Sequence, residues 1–155
     1  MRIRFDTKSV YVPRTGKFLE FAAISLGLGT TGRSTIYREV LVDTGASHTT
    51  FPLSIALQLG VDLDSLPTTT FKTASGHQLK GYIANLNLSI RSPENSRTGW
   101  DWKDDVIFAD IRTSLFGVLG NESFLEHFKL ELDTEDESFH LEENSRSPGQ
   151  ALSYD

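Results

Sequence analysis

Cysteine is absent from this chain of 155 residues, and methionine occurs only once. Without thiols there is no disulfide framework, no thiolate zinc site and no cysteine nucleophile. Long hydrophobic runs are also missing: no 18 consecutive residues are apolar, and the first ten lack the apolar stretch of a secretory signal. We therefore expect a protein without a membrane partner that resides in the cytoplasm.

Positive charge is scarce as well. The chain has 15 Lys and Arg residues against 21 Asp and Glu residues, which gives a formal net charge of −6. The affinity of proteins for nucleic acids depends largely on clustered cations that neutralise phosphates, and no such cluster is present. Nucleic acid is therefore not an expected partner, and the length predicts a single globular domain.

Short apolar segments, separated by Gly, Pro, Ser and Asn, dominate the sequence. This pattern is typical of an all-β barrel or sandwich. The expected strands are 18–26, 36–42, 69–74, 78–90, 106–111 and 115–119. Two short segments, 52–59 and 121–128, have the proline start or the apolar spacing of a helix.

A polar stretch at 92–105 predicts a long surface loop or hairpin, whose Trp100 and Trp102 should fold back onto the body. Residues 142–155 contain little that could be buried, so we expect a mobile polar tail. The folded domain is accordingly predicted to span residues 1–141.

Two local motifs resemble phosphate sites but fit turns better. Residues 27–34 match G-x-G-x-x-G, yet a β-like segment follows where a phosphate-binding helix would be required, so a glycine-rich hairpin is expected. Residues 62–65, Asp-Leu-Asp-Ser, follow Gly60 in a polar turn, where short polar side chains satisfy backbone amides.

The histidines and serines show no local catalytic or metal-binding spacing. His48, His77, His127 and His140 form neither H-x-H nor H-E-x-x-H, so each is expected to be a polar loop or surface residue. The chain also lacks the G-x-S-x-G elbow of many serine hydrolases. Metal and acyl-enzyme chemistry are thus not predicted.

One carboxylate stands out by its position. An apolar strand, Val40-Leu41-Val42, leads directly into Asp43-Thr44-Gly45-Ala46. The simplest interpretation is a strand-to-turn junction in which Asp43 forms an Asx turn and Gly45 supplies a positive φ. The alternative is that Asp43 is a catalytic acid.

A second pattern further along the chain favours catalysis. Val118-Leu119-Gly120 precedes a segment with helical spacing, and residues 71–79 between the two motifs have the composition of a hairpin with a glycine tip. Together with Asp43-Thr44-Gly45-Ala46, these motifs resemble the retropepsin-like aspartic proteases over about residues 18–141.

The resemblance implies a small closed β-barrel with one or two short helices, which acts as a homodimeric aspartic endopeptidase. In such a dimer each subunit supplies one Asp43, the substrate is an extended peptide, and no metal or organic cofactor is needed. The catalytic residues implied by the resemblance are Asp43, Thr44 and Gly45. The expected substrate-binding residues, in the loop, the flap hairpin and the second strand, are Ala46, Thr73, Ala74, Ser75, Gly76 and Val118, with Ile83 and His48 as further candidates.

One departure from the family concerns the dimer contact. Retroviral members commonly carry an acidic residue after D-T-G-A and an arginine near the second motif, whereas this chain has Ser47 and Asn121 at the matching positions. Both halves of that ion pair are replaced together, and the two neutral side chains could form a hydrogen bond instead.

Two other functions remain open at this point. The same fold could be a catalytically silent dimerisation or peptide-binding module that keeps D-T-G for its tight turn. A nucleotide-binding protein using residues 27–34 would show stabilisation by nucleotides, and we expect none.

Overall fold

β-Strands make up most of the protein in the computed structural model, which describes residues 1–73, 75–112, 116–147 and 150–152. The strands are β1 Arg2–Asp6, β2 Lys8–Val12, β3 Lys17–Phe21, β4 Ala23–Gly29, β5 Ile36–Val42, β6 Thr50–Pro52, β7 Thr68–Lys72, β8 Gln78–Arg91, β9 Gly99–Ala109, β10 Val118–Leu119, β11 Phe128–Asp133, β12 Ser138–Glu143 and β13 Gln150–Leu152. The helix α1 spans Leu53–Leu59, a 3₁₀ turn spans Leu63–Ser65, and a π-type turn spans Asn121–Leu125.

Six of these strands close into a barrel. Their hydrogen-bonded order is β9-β6-β10-β5-β4-β8, and β8 pairs again with β9. Closure removes the unpaired edges that an open sheet would expose. The all-β barrel predicted from the sequence is confirmed, and β7 and β13 extend this sheet outside the closed ring.

Alternating side chains of the long strands fill the barrel. Along β8, inward residues such as Leu86, Leu88 and Ile90 are almost fully buried, while Asn85 and Asn87 are exposed. The hairpin partner β9 starts at Gly99, so residues 92–98 form the turn and Trp100 and Trp102 belong to a strand. Both tryptophans are buried, as expected, against Phe128.

Of the two expected helices, only the first is regular. Helix α1 lies where it was predicted and ends at Gly60 with φ 68°. The second segment is not a helix over 121–128, because Glu122 has ψ 137°, Ser123 has φ 69°, and Phe128 begins β11. Tertiary hydrogen bonds explain the difference: the Ser123 hydroxyl donates to the Asp105 carbonyl, and the Ser123 amide donates to Glu126 Oε1.

The glycine-rich residues 27–34 form the expected hairpin connection, since β4 and β5 pair in antiparallel register with Leu28 opposite Ile36. Residues 62–65 form the expected turn, in which the Asp62 side chain accepts a hydrogen bond from the Asp64 amide. No helix in the described part of the chain is both long and apolar enough to cross a membrane.

The region near the C-terminus contains more strand than the sequence predicts. β1, β12 and β11 form a separate three-stranded sheet, and β12 continues to Glu143, beyond the predicted start of the tail. Gln150–Leu152 pairs with residues 99–101 of β9. Apolar and charged residues alternate strictly along β1 and β11, as expected of half-buried strands, so the period-2 pattern was present but was not used in the strand prediction. The domain limit at residue 141 stays a prediction.

Candidate active site

The loop from Asp43 to Thr49 connects β5 and β6 and is held to the barrel through its first residue. The Asp43 amide donates to the Leu119 carbonyl of β10 at 3.0 Å. The Asp43 carboxylate accepts a hydrogen bond from the Gly45 amide at 2.8 Å, and the Ala46 amide donates to the Asp43 carbonyl at 3.2 Å. These contacts make an Asx turn that fixes the orientation of the carboxylate while leaving it half-buried.

The π-type turn packs directly behind this loop. The amides of Asn121 and Glu122 donate to the carbonyls of Ala46 and Ser47 at 2.9 and 3.0 Å. Gly120 lies so close to the loop that a Cβ atom on it would be 2.4 Å from the His48 carbonyl oxygen. Only glycine permits this approach, which explains why a glycine follows Leu119 in the sequence.

The buried side chain of Thr49 connects the Asp43 loop with the π-type turn. Nothing in the sequence gave a reason to select this residue. Its side chain is buried, donates to the Glu122 carbonyl at 2.7 Å and accepts from the Gly120 amide at 3.2 Å. A buried hydroxyl with two backbone partners stabilises the junction, because leaving those backbone groups unpaired would be costly.

An open groove of about 630 Å³ runs past the Asp43 carboxylate. Six of the predicted site residues line it, namely Asp43, Gly45, Ala46, His48, Thr73 and Val118. Further lining residues are Ser47, Thr50, Thr70, Phe71, Lys72, Ile111 and Arg112. The structure thus places β7, the loop after β5 and the segment after β9 around one carboxylate.

Other predicted residues lie away from the groove lining. Thr44, Ser75 and Gly76 are exposed and are not among the lining residues, and Ile83 lies within β8. Gly76 forms the glycine tip of the β7–β8 hairpin with φ 84°. Ala74 lies outside the described residues.

The sequence matches a known protein family over the segment that contains these motifs. A model of the aspartyl protease family matches residues 30–122, which include the Asp43 loop, the β7–β8 hairpin and Gly120. This chain belongs to the aspartyl protease family. No curated protein matches the sequence.

A solved structure with a TM-score above 0.5 supports the retropepsin-like fold of this family member. A retropepsin-like aspartic protease from Rickettsia conorii superposes with a TM-score of 0.57 at 21% identity, over 99% of this chain and 94% of the other. EIAV protease, solved with an inhibitor, gives a TM-score of 0.44 at 16% identity, over 66% and 83% of the two chains. The retropepsin-like barrel predicted from the motifs is confirmed.

A histidine–glutamate contact lies one residue beyond the neutral positions noted in the sequence. Among the described residues, no hydrogen bond joins the side chains of Ser47 and Asn121. Instead His48 Nδ1 lies 2.8 Å from Glu122 Oε2, and the His48 ring packs edge-on against Phe71 of β7. The pair therefore links the Asp43 loop with both the π-type turn and the hairpin. Because the Glu122 side chain is 65% exposed, the pair contributes at most about 1 kcal/mol to folding.

The expectation that all histidines are polar loop or surface residues is wrong for His127, which is only 8% exposed. His127 Nε2 lies 2.7 Å from Asp104 Oδ2 and 3.7 Å from Glu126 Oε1, so these three side chains could approach a metal ion. A metal-binding histidine usually donates a hydrogen bond from its second ring nitrogen, but His127 Nδ1 is buried without a partner. A hydrogen bond between His127 and Asp104 explains the cluster better.

Proposed function

We propose that this protein is an aspartic endopeptidase whose active species is a homodimer with one Asp43 from each subunit. The observation that carries the proposal is the placement of the Asp43 carboxylate. It faces a peptide-sized groove, it is oriented by an amide of its own loop, and it forms no ion pair with any described residue. A carboxylate kept free of cations in this way is available for proton transfer.

The chemistry explains why two copies are needed. Hydrolysis requires a base that takes a proton from water as its oxygen attacks the peptide carbonyl, and an acid that protonates the carbonyl oxygen. As the C–N bond breaks, the leaving nitrogen also receives a proton. Two adjacent carboxyl groups share one proton, since both cannot ionise comfortably, and so supply one base and one acid; aspartic proteases are the well-known example of this arrangement.

The chain itself offers no second aspartate of this kind. D-T-G occurs once, and the related Asp133-Thr134-Glu135 lacks the glycine. Asp133 is used in the turn between β11 and β12, where its carboxylate accepts hydrogen bonds from the amides of Glu135 and Asp136 at 3.1 and 3.0 Å. A two-fold dimer would bring equivalent Asp43 residues together at its axis.

In this proposal the substrate is an extended peptide that lies along the groove. The β7–β8 hairpin, with Thr73, Ala74, Ser75 and Gly76, would act as the flap and pair with the substrate main chain. Gly45 would permit close approach of that main chain, Ala46 and Val118 would contact its side chains, and Thr44 would bond across the axis to the partner loop. The cytoplasmic location stays a prediction.

Cleavage of an unfolded protein, measured from acid to neutral pH with and without pepstatin, tests the proposal. Asp43→Asn is nearly isosteric and should lower cleavage by about 10³-fold or more, because it removes acid–base catalysis, while folding is retained. Unchanged cleavage by this variant would contradict the proposal. A folded wild-type dimer that cleaves nothing would instead favour the silent peptide-binding module.

Sedimentation of the active enzyme tests the dimer separately. The expected result is a species of twice the chain mass that carries the activity, in both the wild type and, without activity, Asp43→Asn. A cleaving monomer would overturn the shared-aspartate mechanism.

A further inference from the structure

Charge is distributed unevenly along this acidic chain. Residues 65–93, which include the whole β7–β8 hairpin, contain no Asp or Glu, although the chain has 21 of them. The same stretch carries Lys72, Lys80 and Arg91 as well as His77. One wall of the groove is therefore built from a segment without negative charge.

Several of these cations already have partners. The Lys80 ammonium lies 5.0 Å from the ring centroid of Tyr82, and Arg91 pairs with Asp101 at 2.7 Å. His48 at the groove is paired with Glu122. These groups are used within the fold and are not the basis for ligand recognition.

Lys72 and Arg112 differ from them. Both side chains line the groove and are exposed, and neither forms an ion pair with a residue in the described part of the chain. They come from separate elements, the end of β7 and the segment after β9, so they flank the groove from two walls. Asp43 is the sole acidic residue among the described residues that line it.

We propose that the preferred substrates are acidic peptides, with Asp or Glu side chains near the scissile bond that contact Lys72 and Arg112. This inference rests on the proposed peptidase function and names the substrate class of the same site. In a dimer the groove would contain four such cations, whereas a dyad that shares a proton contributes a single negative charge. Complementary charge of this kind selects partners even in a protein whose net charge is of the opposite sign.

Peptide binding to the Asp43→Asn protein tests the inference without requiring cleavage. The probes are two fluorescein-labelled decapeptides with the same central Phe-Phe pair, one flanked by Glu and the other by Gln, measured by anisotropy. We expect roughly fivefold to tenfold tighter binding of the Glu peptide at low salt, decreasing as salt is added, because exposed charge pairs are modest and screened. Equal binding, or no binding of either peptide, would overturn the inference.

Charge-removing variants identify the residues responsible. Lys72→Gln combined with Arg112→Gln should reduce the preference for the Glu peptide to less than twofold. The matched control, Arg97→Gln combined with Lys129→Gln, removes two exposed cations that do not line the groove and should keep the preference. Loss of preference in the control alone, or tighter binding of a single-stranded oligonucleotide than of the Glu peptide, would count against the inference.

Cleavage by the wild type separates this inference from the proposed function. A higher kcat/KM for the Glu peptide than for the Gln peptide supports both. Equal cleavage of the two peptides leaves the peptidase in place and overturns the substrate class. Selective binding of the Glu peptide without cleavage by the wild type supports acidic peptide recognition and overturns the peptidase.

Discussion

The loop around Asp43 and the acidic stretch at 121–143 use carboxylates in different ways. Nine acidic residues and one lysine lie in that stretch, and many of its carboxylates have side-chain partners. Arg2 binds Glu131 at 2.7 Å, Arg4 binds Asp136 at 3.1 Å, and the N-terminal amine binds Glu143 at 3.0 Å. Asp43, in contrast, forms hydrogen bonds among the described residues only with backbone of its own loop and of β10.

The two regions are held in place by different kinds of contact. In the β1-β12-β11 sheet, cations neutralise carboxylates and fasten the N-terminal strand to it. Around Asp43 the loop is held by backbone hydrogen bonds, a buried threonine and a glycine contact. The Asp43 loop is thus held in place without an ion pair between the Asp43 carboxylate and any cation of the described residues.

The largest effect is expected for the backbone contact at Gly120. Gly120→Ala would place a Cβ atom 2.4 Å from the His48 carbonyl oxygen and 2.8 Å from that of Ala46, and backbone cannot move away cheaply. We expect a loss of about 3 kcal/mol in the free energy of unfolding, measured by urea denaturation, and lower cleavage per folded molecule.

Gly29→Ala is the control for this change. Its nearest neighbour would be a side-chain atom, Thr35 Oγ1, at 3.2 Å, so its effect should be much smaller. Equal stabilities of the two variants would contradict the view that close backbone packing holds the Asp43 loop.

A smaller effect is expected for the hydrogen bond between the buried His127, which lies within the acidic stretch, and the partly exposed Asp104. Asp104→Ala removes the partner of the buried His127 imidazole, and an unpaired buried donor costs about 2 kcal/mol. Urea denaturation should show this loss, while cleavage per folded molecule stays near the wild-type value. Glu135→Ala, on an exposed side chain, should change neither quantity. A loss of activity without loss of stability would show that this region also takes part in chemistry.

The smallest expected effect is that of the exposed ion pairs on the free energy of unfolding, and it is visible mainly as a dependence on acid pH. Hydrogen bonds and charge from Arg2 lower the pKa of Glu131, and hydrogen bonds from Arg4 and Ser138 lower the pKa of Asp136. A carboxyl group whose pKa is lower in the folded than in the unfolded protein stabilises the fold at any pH above its unfolded-state pKa, which is about 4. This stabilisation is lost as the pH falls through the folded-state pKa.

Replacing both Arg2 and Arg4 should therefore make the free energy of unfolding depend less on pH in the acid range. Urea denaturation of Arg2→Gln combined with Arg4→Gln, at pH 7 and pH 3, should show a smaller drop on acidification than the wild type. Arg14→Gln combined with Arg97→Gln removes the same charge from exposed sites without ion pairs in the described chain and should behave like the wild type. An identical drop in all three proteins would show that these pairs do not couple folding to pH.

Much of the fold and of the site could be predicted from the sequence. The apolar segments predicted five of the six barrel strands at least in part, because buried strands leave a local pattern, and β5 was predicted with both ends correct. Only the last part of β9 was predicted, and the three-residue β6 was not. The strands β1 and β11 were missed although apolar and charged residues alternate along both, because the strand prediction relied on apolar segments alone. The π-type turn was missed because tertiary hydrogen bonds override an apolar spacing. The sequence around Lys72 and around Arg112 does not show that both residues line the groove.

The sequence alone indicated the family, because Asp43-Thr44-Gly45-Ala46 and Leu119-Gly120 resemble the motifs of retropepsin-like aspartic proteases, and the aspartyl protease family model matches residues 30–122. The sequence also determined the net negative charge. Only the tertiary structure decided that His48 pairs with Glu122, that Thr49 joins the loop to the turn behind it, and that two cations flank the groove. These contacts join residues more than 20 positions apart, and their partners are set by barrel closure, which local sequence patterns do not encode.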